Sequence, residues 1–332
     1  MADIQHCSLL KVARAAGVAA STASLALRGS PLVKPATAVR VKAVAERLGY
    51  RADPRVGSLM ARIRRAKAGR DRERLAFVWV SATRADTRRE WFAKLTFEGA
   101  SRRAAELGCV LEEFWLHDDG MTTARLGKIL VTRGITGVVF SAPLRDMEVT
   151  VDWNWGRFAA AIIGNSEFHP TLHRAGHYHY RSMWTAMEKL KAAGCRRPAV
   201  VLHEPHHRRI HGVHQAAFLA NHPLPKQALA MTRFGFPKDE METRAWLAKV
   251  KADALICVIS PDEWELAWLR TVPGLRQVVT LASPRAELPG IDMREDLIAA
   301  SAVDLVVAQL HRNERGVPEH PTTLLLEGEW RE

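Results

Sequence analysis

From Leu9 onward the apolar positions fall three and four apart, so that Leu9, Val12, Ala13 and Ala16 share one face of a helix. Ser8 stands where a helix cap would be, and Gly17 where a left-handed residue would end the helix. Val18 then stands at the corner. A second run, Ala20 to Leu27, turns Ala23, Ala26 and Leu27 inward. A third, from Pro35 to Leu48, places Val41, Val44, Ala45 and Leu48 on its buried side. The small side chains of Ala13 and Ala23 let two helices cross closely, as a helix-turn-helix requires.

From Leu75 the pattern changes. Short apolar runs (LAFVWV, ITGVVFSA, RFAAAIIGN, ADALICVIS, LRQVVTLAS) alternate with helical stretches such as WFAKLTFEGASRRAAELG and SMWTAMEKLKAAG. Apolar strands separated by helices predict parallel sheets in an α/β body. Ligands of such folds gather at the carboxyl ends of the strands.

Composition changes this picture little. A chain of 332 residues with 47% hydrophobic and 25% charged side chains has room for two or three globular domains. No apolar run reaches the roughly 18 residues of a membrane span, and MADIQHCSLLKV lacks the apolar core of a secretory signal. Cys7, Cys109, Cys195 and Cys257 lie far apart with no CxxC pair, which suits reduced thiols and predicts a cytoplasmic protein. There is no membrane partner to expect.

Charge changes it a great deal. Residues 1–72 hold fifteen Lys and Arg against four Asp and Glu, a net +11 out of +12 for the whole chain. A basic head on a nearly neutral body is the electrostatic footprint of phosphate-backbone binding.

The stretch SLLKVARAAGVAASTASLALRGSPLVKPATAVRVKAVAERLGYRADP resembles the N-terminal headpiece of the lactose/galactose-repressor (LacI/GalR) family across its length. The matching pieces are VARAAGV, STASLAL, the Pro35–Arg40 start of the third helix and the closing LGYRADP. PRVGSLMARIRR, just beyond, resembles the family's hinge helix, with Leu59 where a leucine enters the minor groove. Such a wedge unstacks a base step and bends the duplex. The resemblance implies base reading by Ala20, Ser21 and Leu25, phosphate contacts by Thr22 and Ser24, and added charge from Arg28 and Arg40. Leu25 stands where the family often has arginine; it can pack on a thymine methyl but cannot hydrogen-bond a guanine. The expected operator therefore differs from the usual family site.

The ordering of the body resembles the family's periplasmic-binding-protein-like sensor, and the ending resembles its dimer-face helix, exposed turn and last strand. The expected fold is an all-α helix-turn-helix headpiece plus a two-lobed α/β sensor with parallel sheets. The expected division is residues 1–54 for the headpiece, 55–72 for hinge helix and linker, and 73–332 for effector binding and dimerisation. Within the last, lobe 1 takes about 73–164 and 294–321, and lobe 2 about 165–293 and 322–332. The chain would cross between lobes near Gly164, near Gly290–Arg294 and near Pro321–Leu324.

The family's effector residues carry over only in part. Arg209 fits an R-x-x-G-aromatic pattern in which Val213 replaces the aromatic. Asp262 falls on the acid of an Asn-Asp pair whose asparagine is Pro261, and Tyr178 and His179 replace an Asp-Asn. The late aspartate segment is LASPRAEL, with no acid before Glu287. A sugar site needs convergent carboxylates and amides, so either the effector is atypical, the preferred expectation, or the cleft no longer binds a small molecule.

Two histidine clusters, His173, His177 and His179, then His203, His206, His207, His211 and His214, have spacings that could ligate zinc. The stretch HEPHHRRIHG reads as a loop entering a helix, and Arg208 and Arg209 oppose a cation. These histidines are therefore expected to line the cleft or the surface, where they could make binding pH-sensitive near neutrality. No metal and no cofactor are expected. Nor is there a G-x-S-x-G elbow, a phosphate-binding loop, a G-x-G-x-x-G or an H-E-x-x-H, so no catalysis is expected.

These readings predict a dimeric transcriptional regulator, a repressor binding a near-palindromic double-stranded DNA operator and controlled by a small-molecule effector. The alternative is a ligand- or partner-binding sensor whose altered head holds DNA non-specifically.

Overall fold

The computed structural model describes residues 9–27, 29–30, 33–50, 72–81, 83–89, 91–143, 148–235, 240–259, 261, 263–282 and 288–332. Ser8, Arg28, Leu59 and Asp262, and the hinge up to residue 71, lie outside them.

The head has three helices: α1 (Leu9–Ala15), α2 (Ala20–Leu27) and α3 (Pro35–Arg47). Its core is built from Val12, Ala13, Ala16, Ala23, Ala26, Val41, Val44 and Ala45, with Val18 and Tyr50 packed against it. Gly17 takes φ +62° between α1 and α2, a conformation that side chains bearing a Cβ resist. One expectation fails here. Leu48 caps α3 and is 38% exposed; it lies past the last helical residue, where the three-to-four spacing no longer turns a side chain inward.

In the body the strands are β1 (Glu73–Trp79), β2 (Cys109–Trp115), β3 (Gly137–Phe140), β4 (Val149–Thr150), β5 (Ala159–Ile163), β6 (Phe168–His169) and β7 (His173–His177). They continue with β8 (Pro198–Leu202), β9 (Thr232–Phe234), β10 (Ala254–Cys257), β11 (Gln277–Thr280), β12 (Gly290–Asp292), β13 (Thr323–Leu326) and β14 (Glu329–Arg331). One six-stranded sheet has the order β13-β7-β5-β3-β1-β2, a second β14-β12-β11-β10-β8-β9, and β4 pairs with β6. All the described pairings are parallel except β12 with β14.

Strand β1 shows why the runs are apolar throughout. Its alternate residues Leu75, Phe77 and Trp79 enter one core, with helices Trp91–Glu106 and Glu295–Arg312. Ala76 and Val78 enter another, with Leu126, Leu130 and Phe140. A parallel sheet covered on both faces has no polar side to spare.

The lobe crossings differ from expectation at two of three points. The chain stays in the first sheet through β7 and leaves it only before helix His179–Ala192, whose Met183, Ala186, Met187 and Leu190 join the second lobe's core. Gly164, at φ +88°, is instead a turn within the first lobe: its N–H donates to the Ala175 carbonyl at 2.7 Å. Strand β7 reads HRAGH and has no apolar run to betray it. The last crossing follows Leu326, because β13 pairs with β7 before β14 joins the other sheet. The middle crossing, near Gly290–Arg294, falls where β12 gives way to helix Glu295–Arg312.

Candidate functional site

In the head, α2 buries Ala23 and Ala26 and leaves Ser21 exposed, with Ala20, Thr22, Ser24 and Leu25 half-buried and Arg40 exposed on α3. Alternation of buried alanines with small polar residues gives α2 a thin core side and an accessible polar side.

In the body, a cavity of about 560 Å³ opens between the two lobes. Trp79, Ser141 and Ile163 reach it from the carboxyl ends of β1, β3 and β5, and His203, Val258 and Leu281 from those of β8, β10 and β11. This is where parallel sheets leave backbone and side chains uncovered. Trp79 is held by a hydrogen bond from Nε1 to Glu113 Oε1 at 2.8 Å. The walls are mostly apolar: Phe92, Ile210, Ile259, Met293 and Ile298 complete them. Among the described lining residues Glu295 is the one carboxylate and Arg209 the one guanidinium.

Of the expected effector residues, His179 and Arg209 line this cleft. Tyr178, 37% exposed, faces a neighbouring recess with Phe168, Arg174 and Tyr180 instead. It caps the start of helix His179–Ala192, and the next residue along that helix turns the other way.

The structure regroups the two histidine clusters. His179 from the first meets His206 and His214 from the second. Ring centroids are 4.9 Å apart for His179–His214, 5.2 Å for His179–His206 and 5.4 Å for His206–His214. One ring nitrogen of each lies within 4.8 Å of the others. The segment expected as a loop is a short helix, Glu204–Arg209, capped by His203, whose Nδ1 accepts from His206 N. His211 and Gly212, both with positive φ, then turn the chain into helix Val213–Asn221, which carries His214. The other histidines go elsewhere: His173 Nδ1 accepts from Thr322 N at 3.0 Å, His211 pairs with Glu167, and His207 packs edge-on against Phe234.

Burial dominates the electrostatics of the cluster. It pushes His177 down to about 4 and His206 to about 3, and holds His179 and His214 well below the usual imidazole range, with neighbouring rings or Arg209 adding to the effect on the last three. Burial therefore favours the neutral form of these rings. His177 has Ser182 Oγ at 2.6 Å from Nε2. By contrast, among the described residues neither nitrogen of His214 and not Nδ1 of His179 has a hydrogen-bond partner. An unsatisfied buried nitrogen costs about 1–3 kcal/mol. Glu295 is displaced the other way: burial, then Asp292 and Asp296, push its carboxyl up to about 7.

Sequence reading named His179 and Arg209 but missed His206, His214, Trp79 and Glu295 as a set. Spacing linked His206 to His214; nothing in the sequence linked either to His179.

A basic three-helix head before a two-lobed α/β body with an interlobe cleft is the arrangement of a helix-turn-helix DNA-binding domain followed by an α/β domain. The sequence model described as "Bacterial regulatory proteins, lacI family" matches residues 8–53, and the N-terminal domain belongs to that family. No curated protein matches the chain by sequence. Solved structures extend the likeness in fold to the whole chain. The complex of the transcriptional regulator CelR with cellobiose is 18% identical, with 98% of this chain and 99% of that one covered at a TM-score of 0.52. The lac repressor dimer bound to operator and the anti-inducer ONPF is 17% identical, with 99% and 98% covered at 0.51. A periplasmic binding protein/LacI transcriptional regulator from Alkaliphilus metalliredigens, complexed with D-xylulofuranose, is 12% identical, with 77% and 97% covered at 0.54. The body thus has the periplasmic-binding-protein-like fold of these regulators. No helix among the described residues is long and apolar enough to cross a membrane.

Proposed function

We propose that this protein is a transcriptional repressor that binds a near-palindromic operator as a homodimer and responds to a small molecule held in the interlobe cleft. The observation that carries the reading is the lacI-family match over residues 8–53, joined to the net charge of +11 on residues 1–72. Two-fold symmetry of the protein calls for two related half-sites. In this reading Ala20, Ser21 and Leu25 meet base edges, Thr22 and Ser24 phosphates, and Arg28 and Arg40 add charge, while Leu59 enters the minor groove. The hinge, residues 55–72, passes the state of the cleft to the head. Arg209 and His179 are the effector contacts that the cleft geometry supports; Tyr178 is withdrawn and Asp262 stays an expectation from resemblance alone. Among the described lining residues, the mixture of apolar wall, histidine and one carboxylate favours an effector that is not a typical sugar.

The test is selection of random duplexes by the full-length protein at near-physiological salt with competitor DNA. The expected result is a two-fold symmetric motif whose specific binding weakens, with loss of DNA bending, in Leu59→Ala. Binding without any recovered motif overturns the reading and leaves a head that holds phosphate only.

A further inference from the structure

We propose that the cleft holds a divalent transition-metal ion of the zinc class on His179, His206 and His214. The claim goes deeper into the sensor reading above and rests on it for its regulatory meaning, not for the metal binding itself.

The geometry is that of a three-imidazole site. Three rings from two helical segments and one helix start converge, each offering a nitrogen within 4.8 Å of the other two. Around a tetrahedral ion with Zn–N near 2.0–2.1 Å those nitrogens would stand about 3.3 Å apart, a contraction within reach of side-chain rotation. Imidazole donors select the zinc, nickel, cobalt and copper class over calcium and magnesium. Because His206 is half-buried at the cleft wall while His214 is 3% exposed, the cavity gives the ion a way in and leaves a coordination position open to it.

A packed aromatic cluster is the simpler account, and one detail weighs against it. Phenylalanine would fill this volume without leaving ring nitrogens unsatisfied, yet among the described residues both nitrogens of the deeply buried His214 lack a partner, as does Nδ1 of His179. A metal ion satisfies one nitrogen on each ring.

Arg209 gives the site its consequence. Its Nη2 lies 3.3 Å from His206 Nδ1, close enough to donate to the ring's lone pair. If the metal takes Nδ1, that lone pair is used. If it takes Nε2, the ring proton moves to Nδ1. In both cases Nδ1 can no longer accept from Arg209, so loading the site removes this hydrogen bond. Metal binding and the Arg209–His206 contact are thereby coupled.

The experiment uses the full-length, untagged protein, stripped with a chelator and titrated with Zn²⁺ by calorimetry and with Co²⁺ by visible absorption. One ion per chain is expected, with the absorption of tetrahedral Co²⁺. His206→Gln, at the half-buried ligand, should weaken binding by at least the roughly 100-fold that loss of a supporting contact can cost. His211→Gln, on a ring 69% exposed, should change nothing. Arg209→Ala should tighten binding, because it removes a competing cation. Absence of stoichiometric binding overturns the proposal, as does binding indifferent to His206→Gln. Repeating the duplex selection with and without Zn²⁺ keeps the two readings apart. An operator recovered from a protein that takes up no metal removes the site and keeps the regulator; metal uptake with no operator removes the regulator and keeps the site.

Discussion

The head and the cleft solve opposite problems with opposite materials. In the head, eight small and β-branched side chains form a core from three helices contiguous in sequence, and the face left over is polar. In the cleft, residues separated by more than two hundred positions, from Trp79 to Ile298, line one cavity with an apolar wall and a few desolvated nitrogens. A face made of neighbours is specified by local periodicity, whereas a cavity made of strangers is specified by how two sheets are ordered. This chain keeps its most family-like part where contacts are local, and its most individual chemistry where they are not.

The sharpest way to break the comparison is to ask whether the two regions depend on each other. Ala23 is fully buried in the head, and Ala23→Asp would bury an unpaired charge in a domain with little core to spare. Loss of DNA binding is expected, with calorimetric unfolding of the body unchanged; a body that unfolds with it would show that the two share one core. The converse is Phe140→Ala, at a ring fully buried between Trp153 and Phe168. It should cost the body about 3–5 kcal/mol, read as a lower midpoint in denaturant, with the helical signal of the head retained.

Glu295 tests whether the cleft side stores strain that the head does not. Its carboxyl is raised to about 7 in the folded protein, so the folded state keeps a proton that the unfolded chain releases near the ordinary carboxylate value. Stability contributed by that group is then fullest at low pH and is lost as pH rises through about 7. Glu295→Gln removes the dependence. The variant should match the parent near pH 4 and exceed it at pH 8 by up to roughly 3 kcal/mol. A constant difference between the two pH values would show that the carboxylate is well solvated.

The smallest effect belongs to the head. At Gly17, φ is +62° and a Cβ would meet nothing within 4 Å, so Gly17→Ala costs only the left-handed backbone, about 1–2 kcal/mol. Thermal unfolding of the head measures it, and no change would mean that the turn relaxes to accept alanine.

The sequence by itself determined the head: the spacing of Val12, Ala13, Ala23, Ala26, Val41 and Val44, and the charge around them, are properties of neighbouring residues. It also determined that the body is α/β, because a strand buried on both faces has to be apolar throughout, as β3, β5, β8 and β10 are. Leu48 and Tyr178 mark its limit at helix ends, where one residue more or less of helix changes the direction of a side chain. Only the tertiary structure decided that polar β7 belongs to the first sheet, so that the lobe crossing follows His177 and not Gly164. That crossing is also what carries His179 across to His206 and His214. Periodicity reports which face of an element is buried but not which other element buries it, and the meeting of three imidazoles is a fact of the second kind.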